Sequence, residues 1–383
     1  MAKYTFAKLQ FWRFKPMKKS AFCKPLVDHM YTADPAVKVF NNKLYIYPSH
    51  DLGNQNPDDG SGDHFWMEDY HVFSMDDIDA PCVDHGQAIH LDDVEWAHAQ
   101  FWDNDVTEKD GKYYMYFPSK DKDGIFRIGV AIADKPEGPF IPEPKPMEGI
   151  FSIDPHVFKD DDGKQYMYHG GLWGGQMEKW QTGEFVQGPP NNQPGVDGPQ
   201  GNEPALLPYM AVLSEDMLQA ESIHRIEILD ENGELLKASD TARRFFEASW
   251  VHKFNGKYYF SYSTGDTHNL CYAEGDSPFG PFTYKGVLLE PVIGWTNHHS
   301  VVEWRGRWYL FYHDSTISGG HTQLRGIKFT EMEIAEDGTI TTMVAYQTDE
   351  EILSAASLML EKSDLETVIA AFNLEDRLVE KLK

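Results

Sequence analysis

The chain has 383 residues, a length that leaves the domain count open, because two average domains and one large β domain both reach it. Aromatic residues make up 14% of the chain, with 31 glycines and 22 prolines, and this composition favours many strands and tight turns over a helical bundle. The formal charge of −27 would repel phosphate backbones and anionic lipids, so it argues against nucleic-acid and membrane partners.

The cysteines and the N-terminus point to no special processing. The three cysteines are far apart and form no CxxC pair, which predicts ordinary core thiols and neither a disulfide framework nor a cysteine zinc site. Residues 1–24 contain no apolar run typical of a signal peptide, and no stretch approaches the roughly 18 apolar residues of a membrane span. We expect a cytoplasmic protein, or a periplasmic or secreted one if a signal peptide has been removed.

One phrase occurs five times along the chain: a turn, then Lys or Arg, then alternating aromatic residues. The copies are NNKLYIYPS (41–49), DGKYYMYFPS (110–119), DGKQYMYHG (162–170), NGKYYFSYS (255–263) and RGRWYLFYH (305–313). Asn-Gly and Asp-Gly pairs followed by period-two alternation indicate tight β-hairpins. The copies are about one propeller blade apart, with an insertion in the third interval, so the sequence predicts an all-β, five-bladed β-propeller over residues 25–348.

Each copy also follows, by nine or ten residues, a side chain that is unusual for a strand. These side chains are Asp34, Trp102, Asp154, Glu247 and His298. The innermost strands of a propeller surround one channel, so equivalent positions meet near its axis. Folding each hairpin about its turn places mainly small residues opposite this ring, which leaves room for a cavity; the opposite positions are Ser49, Ser119, Gly170, Thr264 and His313.

Three carboxylates in one ring allow several interpretations. They could bind a cation, and the Asp-Pro pairs at 34–35 and 154–155 could simply initiate turns. The matched register with Glu247 and His298 favours a functional site. Glycoside hydrolysis needs one ionised and one protonated carboxyl group, and a third acid nearby raises the pKa of the proton donor. Aromatic neighbours make Glu247 the better acid, and Asp34 the better base.

At this point the residues resemble glycoside hydrolase family 43, a family of five-bladed propellers that includes β-xylosidases, α-L-arabinofuranosidases and arabinanases. The similar stretches cover all five blades and are TADPAV (32–37), FWDNDVTEKDGKYYMYF (101–117), SIDPHVFKDDDGKQYMY (152–168), FFEASWVHKFNGKYYFSYS (245–263), NHHSVVEWRGRWYLFYH (297–313) and QLRGIKF (323–329). In blade two this sequence has Asp103 and Asn104 where the family usually has Ala-Pro.

The resemblance implies a role for each acid in an inverting mechanism. Asp34 would be the general base, Asp154 the residue that orients the acid and adjusts its pKa, and Glu247 the general acid. An inverting mechanism predicts roughly 6.5 to 9.5 Å between the two reacting carboxyl groups, enough for a water molecule. His298 would contact a central Ca²⁺ held largely through water, and Arg325 would lie near the sugar.

Further substrate contacts are expected from blades one and two. Trp102 is predicted to stack on a sugar ring, and the alternative is a core aromatic residue between blades. A mouth of polar residues could contact the terminal sugar or form a solvated loop; its members are His50, Asp51, Asp63, His64 and Trp66.

The sequence thus predicts an inverting, exo-acting hydrolase that releases xylose or arabinose from plant-cell-wall oligosaccharides. One alternative is a retaining five-bladed hydrolase acting on fructosides, in which the first Asp is a nucleophile. Another is a non-catalytic carbohydrate-binding propeller. The sequence leaves open the preferred sugar, exo or endo cleavage, and the oligomeric state.

Two segments lie outside the repeated pattern. Residues 173–203 are rich in Gly, Pro, Asn and Gln and are predicted to form a long loop, either a spacer or part of the cleft wall. Residues 349–383 have helical periodicity and are predicted to form two helices, with Ser363 as an N-cap, that serve packing or assembly.

Overall fold

The computed structural model describes residues 24–58, 61–187 and 198–383, so the predicted N-terminal segment lies almost wholly outside the described residues. Five sheets follow one another along the chain, one for each copy of the repeated phrase, and they are antiparallel except for one short parallel pair in the fourth. The five-bladed β-propeller predicted from the repeats is confirmed.

The blades take their strands in chain order. Blade one contains β1 (Tyr31–Phe40), β2 (Lys43–Asp51), β3 (Asp69–Met75) and β4 (Val83–His90). Blade two contains β5 (Ala97–Ala99), β6 (Asp105–Lys109), β7 (Lys112–Asp121), β8 (Phe126–Ala133) and β9 (Ile141–Pro142). Blade three contains β10 (His156–Lys159), β11 (Gln165–His169), β12 (Tyr209–Leu213) and β13 (Ala220–Arg225). Blade four contains β14 (Ile228–Leu229), β15 (Glu247–Phe254), β16 (Lys257–Ser263), β17 (Leu270–Gly275) and β18 (Phe282–Leu289). Blade five contains β19 (His299–Trp304), β20 (Arg307–Asp314) and β21 (Gly326–Met332).

The repeated phrase forms the turn and second strand of the innermost hairpin of each blade. In blade two, Asp110 and Gly111 have φ of 54° and 77°, as a two-residue turn with two left-handed positions requires. The observed register pairs Ala33 with Ser49 and Glu247 with Ser263, within one residue of the pairs predicted by folding the hairpins. The turn chemistry therefore fixes which residues reach the channel.

The alternating aromatic residues are buried on both faces of each blade. On β2, Tyr45 and Tyr47 pack against blade two, whereas Leu44 and Ile46 pack against blade five. Successive side chains on a strand point to opposite faces, and each blade lies between two neighbours. This packing gives one hydrophobic cluster between each pair of adjacent blades.

The propeller closes between blade one and blade five. The Leu26 backbone N–H donates to the Ile327 carbonyl at 2.6 Å, and the Thr32 N–H donates to the Arg325 carbonyl at 2.8 Å. β1 also packs alongside β19 and β20. Closure therefore brings Arg325 beside the first strand.

The C-terminal region contains three helices where the sequence predicted two: α1 (Asp349–Leu360), α2 (Leu365–Phe372) and α3 (Asp376–Leu382). Asn373, with φ of 47°, ends α2 in a left-handed C-cap and splits the periodic run. The predicted N-cap at Ser363 is wrong, because Asp364 accepts the Thr367 N–H at 2.7 Å while the Ser363 hydroxyl donates back to Met359. The helices pack on one another and on Ile293.

Two expectations about the chain as a whole can be compared with the described residues. No helix among them is long and apolar enough to cross a membrane. Cys82 and Cys271 are free thiols, Cys271 is buried, and Cys23 lies outside the described residues.

Candidate active site

A cavity of about 280 Å³ lies where the innermost strands of the five blades converge. The five ring positions predicted from the repeats all line it: Asp34, Trp102, Asp154, Glu247 and His298. Arg325, also predicted from the sequence, lines it as well. The size is close to the lower limit of about 300 to 1,000 Å³ for small-molecule sites, which suits a short ligand segment.

Unusual backbone conformations direct the acids into this cavity. Asp34 and Asp154 have φ of 48° and 56°, and Ala248, next to Glu247, has φ of 63°. The register of β1 with β2 shifts between Ala33 and Ala36, and β15 shifts relative to β16 immediately after Glu247. Left-handed non-glycine residues and bulges cost free energy and concentrate where a side chain must be re-aimed. The two Asp-Pro pairs and the Glu247–Ala248 pair therefore direct carboxyl groups into the cavity and do not merely initiate turns.

Asp34 lies beside a cationic guanidinium and a neutral imidazole. The two terminal nitrogens of Arg325 donate to its carboxylate oxygens at 3.0 and 3.3 Å. The Asp34 N–H donates to Nδ1 of His313, and the pKa of this imidazole is lowered to about 3 by burial and by Arg325, so it is neutral. Burial alone would raise the pKa of Asp34, but the charge of Arg325 and smaller contributions from other neighbours together outweigh it and hold the pKa below its usual value. Asp34 is therefore ionised.

Asp51 was expected at the mouth of the cavity, but in the structure it contacts Arg325 outside the cavity wall. Its carboxylate accepts from the Arg325 Nε at 2.9 Å and Nη2 at 2.8 Å, and it also accepts the Arg325 backbone N–H. Asp51 is 2% exposed and lies outside the cavity wall. It therefore positions Arg325 and has no surface for a sugar.

His50 also lies outside the cavity. Successive side chains on a strand point to opposite faces, so His50 points away from the face of β2 on which Asp51 contacts Arg325. Its Nδ1 is 2.6 Å from Asp69 Oδ1 on β3. Of the other predicted mouth residues, only His64 reaches the cavity, whereas Asp63 accepts from Lys120 and Trp66 donates to Glu68. The sugar contacts expected from His50 and Asp51 are not found. His50 points to Asp69 on β3, and the carboxylate of Asp51 is taken up by Arg325.

Glu247 has the opposite electrostatic surroundings. Its side chain lines the cavity beside Ile153 and Phe246. Burial and the negative charge of Asp154 together raise the pKa of Glu247 to about 8. The carboxyl group is therefore protonated at neutral pH and can donate a proton.

Asp154 connects the acid to the centre of the ring. Its Oδ2 accepts the backbone N–H of Ala248 at 2.8 Å, which ties the carboxylate to the residue after Glu247. The same oxygen is 3.6 Å from His298 Nε2. Asp154 thus orients the start of β15 and supplies negative charge to Glu247.

Asp103, Asp154 and His298 form a cluster of three buried groups whose ligand atoms lie within 4.8 Å of one another. His298 Nδ1 accepts the His299 N–H at 2.9 Å, so Nε2 faces the two carboxylates, 3.3 Å from Asp103 Oδ2 and 3.6 Å from Asp154 Oδ2. Burial, with smaller contributions from the charges of Asp154 and Asp34, raises the pKa of Asp103 well above its usual value. Two carboxylates and one imidazole nitrogen directed at a common centre fit a hydrated cation.

Aromatic side chains form the rest of the wall. The Trp102 indole N–H donates to the Phe65 carbonyl at 2.9 Å, and its ring lies against Gly62 and Gly174, where a Cβ would approach to 2.6 and 3.2 Å. Three further aromatic side chains pack together beside it: Trp173, Phe246 and Trp295. Trp173 and Trp295 were not predicted as site residues, because both lie in connecting segments outside the repeated phrase.

The predicted loop at 173–203 contributes directly to the site. It begins with two short 3₁₀ turns, Trp173–Gly175 and Met177–Trp180, and its residues Trp173, Gly174 and Gly175 line the cavity. Of the two predicted roles, the described part fulfils that of cleft wall. Residues 188–197 lie outside the described part of the chain.

Comparison with known proteins agrees with this geometry. The model of the family "Glycosyl hydrolases family 43" matches residues 30–186 and 196–340. A xylosidase/arabinosidase of Bacteroides ovatus is 56% identical over 83% of this chain and 96% of its own length. A β-xylosidase of Xylanibacter ruminicola is 51% identical over 82% of this chain and 97% of its own length.

A solved structure of similar fold is that of a β-xylosidase/α-arabinofuranosidase from a compost microbial metagenome, in complex with xylotriose and in a calcium-free form. It is 54% identical, has a TM-score of 0.83 and covers 86% of this chain and 99% of its own. Family 43 enzymes invert the anomeric configuration, so the retaining and non-catalytic alternatives are set aside. The chain belongs to glycosyl hydrolase family 43 and is an inverting glycoside hydrolase.

Proposed function

We propose that this enzyme releases xylose or arabinose from the ends of xylan-derived oligosaccharides, with Asp34 as general base and Glu247 as general acid. The observation that carries the proposal is the contrast between two carboxyl groups in one cavity, one kept ionised by Arg325 and one kept protonated by burial and Asp154. The names of the relatives, xylosidase/arabinosidase and β-xylosidase, support the choice of sugars. The small cavity supports cleavage at a chain end.

In the proposed reaction, Asp34 takes a proton from a water molecule while the water oxygen attacks the anomeric carbon. Glu247 gives its proton to the glycosidic oxygen as the bond to the anomeric carbon breaks. The released sugar has the opposite anomeric configuration, Asp34 is left protonated and Glu247 ionised. Proton exchange with solvent restores both groups before the next cycle.

The surrounding residues keep the two carboxyl groups in these states. Arg325 contacts both Asp34 and Asp51, so its guanidinium is fixed from two sides and places a positive charge beside the Asp34 carboxylate. Asp154, bonded to the Ala248 N–H, favours the protonated form of Glu247. Trp102 and the neighbouring aromatic residues provide faces on which a pyranose or furanose ring can stack.

We also propose that a calcium ion is held in the cluster of Asp103, Asp154 and His298. Calcium prefers oxygen ligands, which the two carboxylates and water would provide, and a solved relative described as a calcium-free form is consistent with binding in this family. When bound, the ion would supply positive charge that orders the carboxylates at the channel centre. Calorimetric titration of the metal-stripped enzyme should show one Ca²⁺ site that Asp103→Asn weakens, and unchanged binding in that variant would contradict this assignment.

The function is tested by incubating the enzyme with xylotriose and with aryl β-D-xyloside and α-L-arabinofuranoside, and following the first product by proton NMR. We expect α-xylose from the β-xyloside before mutarotation. Glu247→Gln should lose turnover of xylotriose, whereas the exposed control Glu290→Gln should retain it. Formation of β-xylose first, or no turnover of either sugar, would contradict the proposal.

A further inference from the structure

A second cluster of imidazole and carboxylate groups lies in blade one, outside the active-site cavity. His50, Asp69 and His71 each offer one ligand atom, and these atoms lie within 4.8 Å of one another. None of the three lines the cavity. The side chains are 13 to 17% exposed, so an ion from solvent can reach them.

Strand geometry brings the three side chains together. The register that pairs Ser49 with Tyr70 places His50 across from Asp69, and Asp69 and His71 lie on the same face of β3. His50 Nδ1 is 2.6 Å from one carboxylate oxygen of Asp69, and His71 Nε2 is 3.8 Å from the other. The carboxylate therefore lies between two imidazoles carried by adjacent strands.

Asp84 on β4 prepares His71 to bind a metal ion. Its Oδ1 is 3.3 Å from His71 Nδ1 and accepts the Gly86 N–H, and its Oδ2 is 2.9 Å from His29 Nε2. When His71 donates from Nδ1 to Asp84, the lone pair of its ring lies on Nε2, which faces Asp69. A carboxylate behind a histidine ligand is the usual second layer of a zinc site.

We propose that His50, Asp69 and His71 bind a zinc-type transition-metal ion, with water as the fourth ligand. Two imidazoles and one carboxylate match the ligand preferences of Zn²⁺, whereas Ca²⁺ prefers oxygen. Tetrahedral zinc with bonds of about 2.0 to 2.2 Å holds its ligand atoms about 3.3 Å apart. The three ligand atoms lie within 4.8 Å of one another, so side-chain rotations that shorten the longer separations complete the site.

The site differs in chemistry from the cluster at the channel centre. That cluster is fully buried and has two carboxylates and one imidazole, whereas this one is partly exposed and has two imidazoles and one carboxylate. A metal ion bound here would cross-link β2 and β3 of blade one. Excess Ca²⁺ should therefore compete at the centre and leave the blade-one site available to Zn²⁺.

The test is equilibrium dialysis of the full chain against Zn²⁺ in excess Ca²⁺ at neutral pH, followed by metal analysis. We expect one bound equivalent in the wild type, its loss in His71→Ala, and its retention in His98→Ala, which changes an exposed histidine outside the cluster. Asp84→Asn should weaken Zn²⁺ binding about 10- to 100-fold, because it removes the carboxylate that fixes the tautomer of His71.

Two results would overturn the proposal: no calcium-resistant zinc equivalent in the wild type, or an equivalent that persists in His71→Ala and disappears in Asp103→Asn. Circular dichroism establishes that each variant is folded. Should His71→Ala fail to fold, Co²⁺ bound to the wild type provides a second measurement. A visible absorption of four-coordinate intensity supports the site, and a weak six-coordinate spectrum contradicts it.

Discussion

The surroundings of Asp34 and Glu247 show how one cavity gives two carboxyl groups opposite properties. Asp34 is paired with Arg325 and hydrogen-bonded through its N–H to a neutral His313, whereas Glu247 faces Ile153, Phe246 and the charge of Asp154. The pKa of the first is lowered and that of the second is raised to about 8. The difference arises from neighbours on other blades, because both residues occupy equivalent positions at the start of an innermost hairpin.

Removing the base should have the largest effect. Asp34→Asn is expected to lower kcat up to about 10⁴-fold on every substrate, since no group then accepts the proton of the attacking water. The measurement is steady-state kinetics with a series of aryl xylosides. A loss that shrinks for better leaving groups would contradict the role of base, because the leaving group does not replace it.

Removing the acid should have an effect that depends on the leaving group. Glu247→Gln is expected to lower kcat by about 10²- to 10⁴-fold for xylo-oligosaccharides and much less for a dinitrophenyl glycoside, which leaves without protonation. The same series of aryl xylosides, plotted against leaving-group pKa, measures this dependence. Equal losses across the series would assign Glu247 another role.

The pH profile tests the electrostatic contrast itself. The wild-type kcat/KM should fall tenfold per pH unit above about pH 8, where Glu247 loses its proton, and its acid limb should lie below the ordinary pKa of Asp, 3.8. Arg325→Lys keeps the charge but cannot bridge Asp34 and Asp51, so the acid limb should move up by about one unit. The alkaline limb is the internal control. An acid limb that stays in place would show that Arg325 does not control Asp34.

The smallest effect is expected at the aromatic wall. Gly62→Ala would place a Cβ 2.6 Å from the Trp102 ring, and displacing that ring should raise KM about fivefold, the equivalent of about 1 kcal/mol of aromatic contact. Gly124→Ala is the matched control, because Gly124 has a similar φ of 74° and open space around its Cα. Equal KM values in the two variants would show that the position of the Trp102 ring does not affect substrate binding.

The sequence was informative about the ring and less so about what surrounds it. Asp34, Trp102, Asp154, Glu247 and His298 were found because each precedes one copy of a repeated hairpin, and a repeat converts sequence position into position around the axis. Trp173 and Trp295 were missed because they belong to connections that occur once. Asp51 was selected as a polar residue near the mouth, but nothing local distinguishes a side chain that meets a sugar from one that holds an arginine.

The sequence by itself thus determined the five-bladed propeller and the ring of functional side chains, because turn chemistry and period-two alternation act over a few residues and repeat five times. Only the tertiary structure decided the state of each acid. Arg325 is 291 residues from Asp34 and 274 from Asp51, and closure of blade five on blade one brings the three together. Burial and charge depend on such distant neighbours, so the pKa values that divide base from acid are properties of the closed ring.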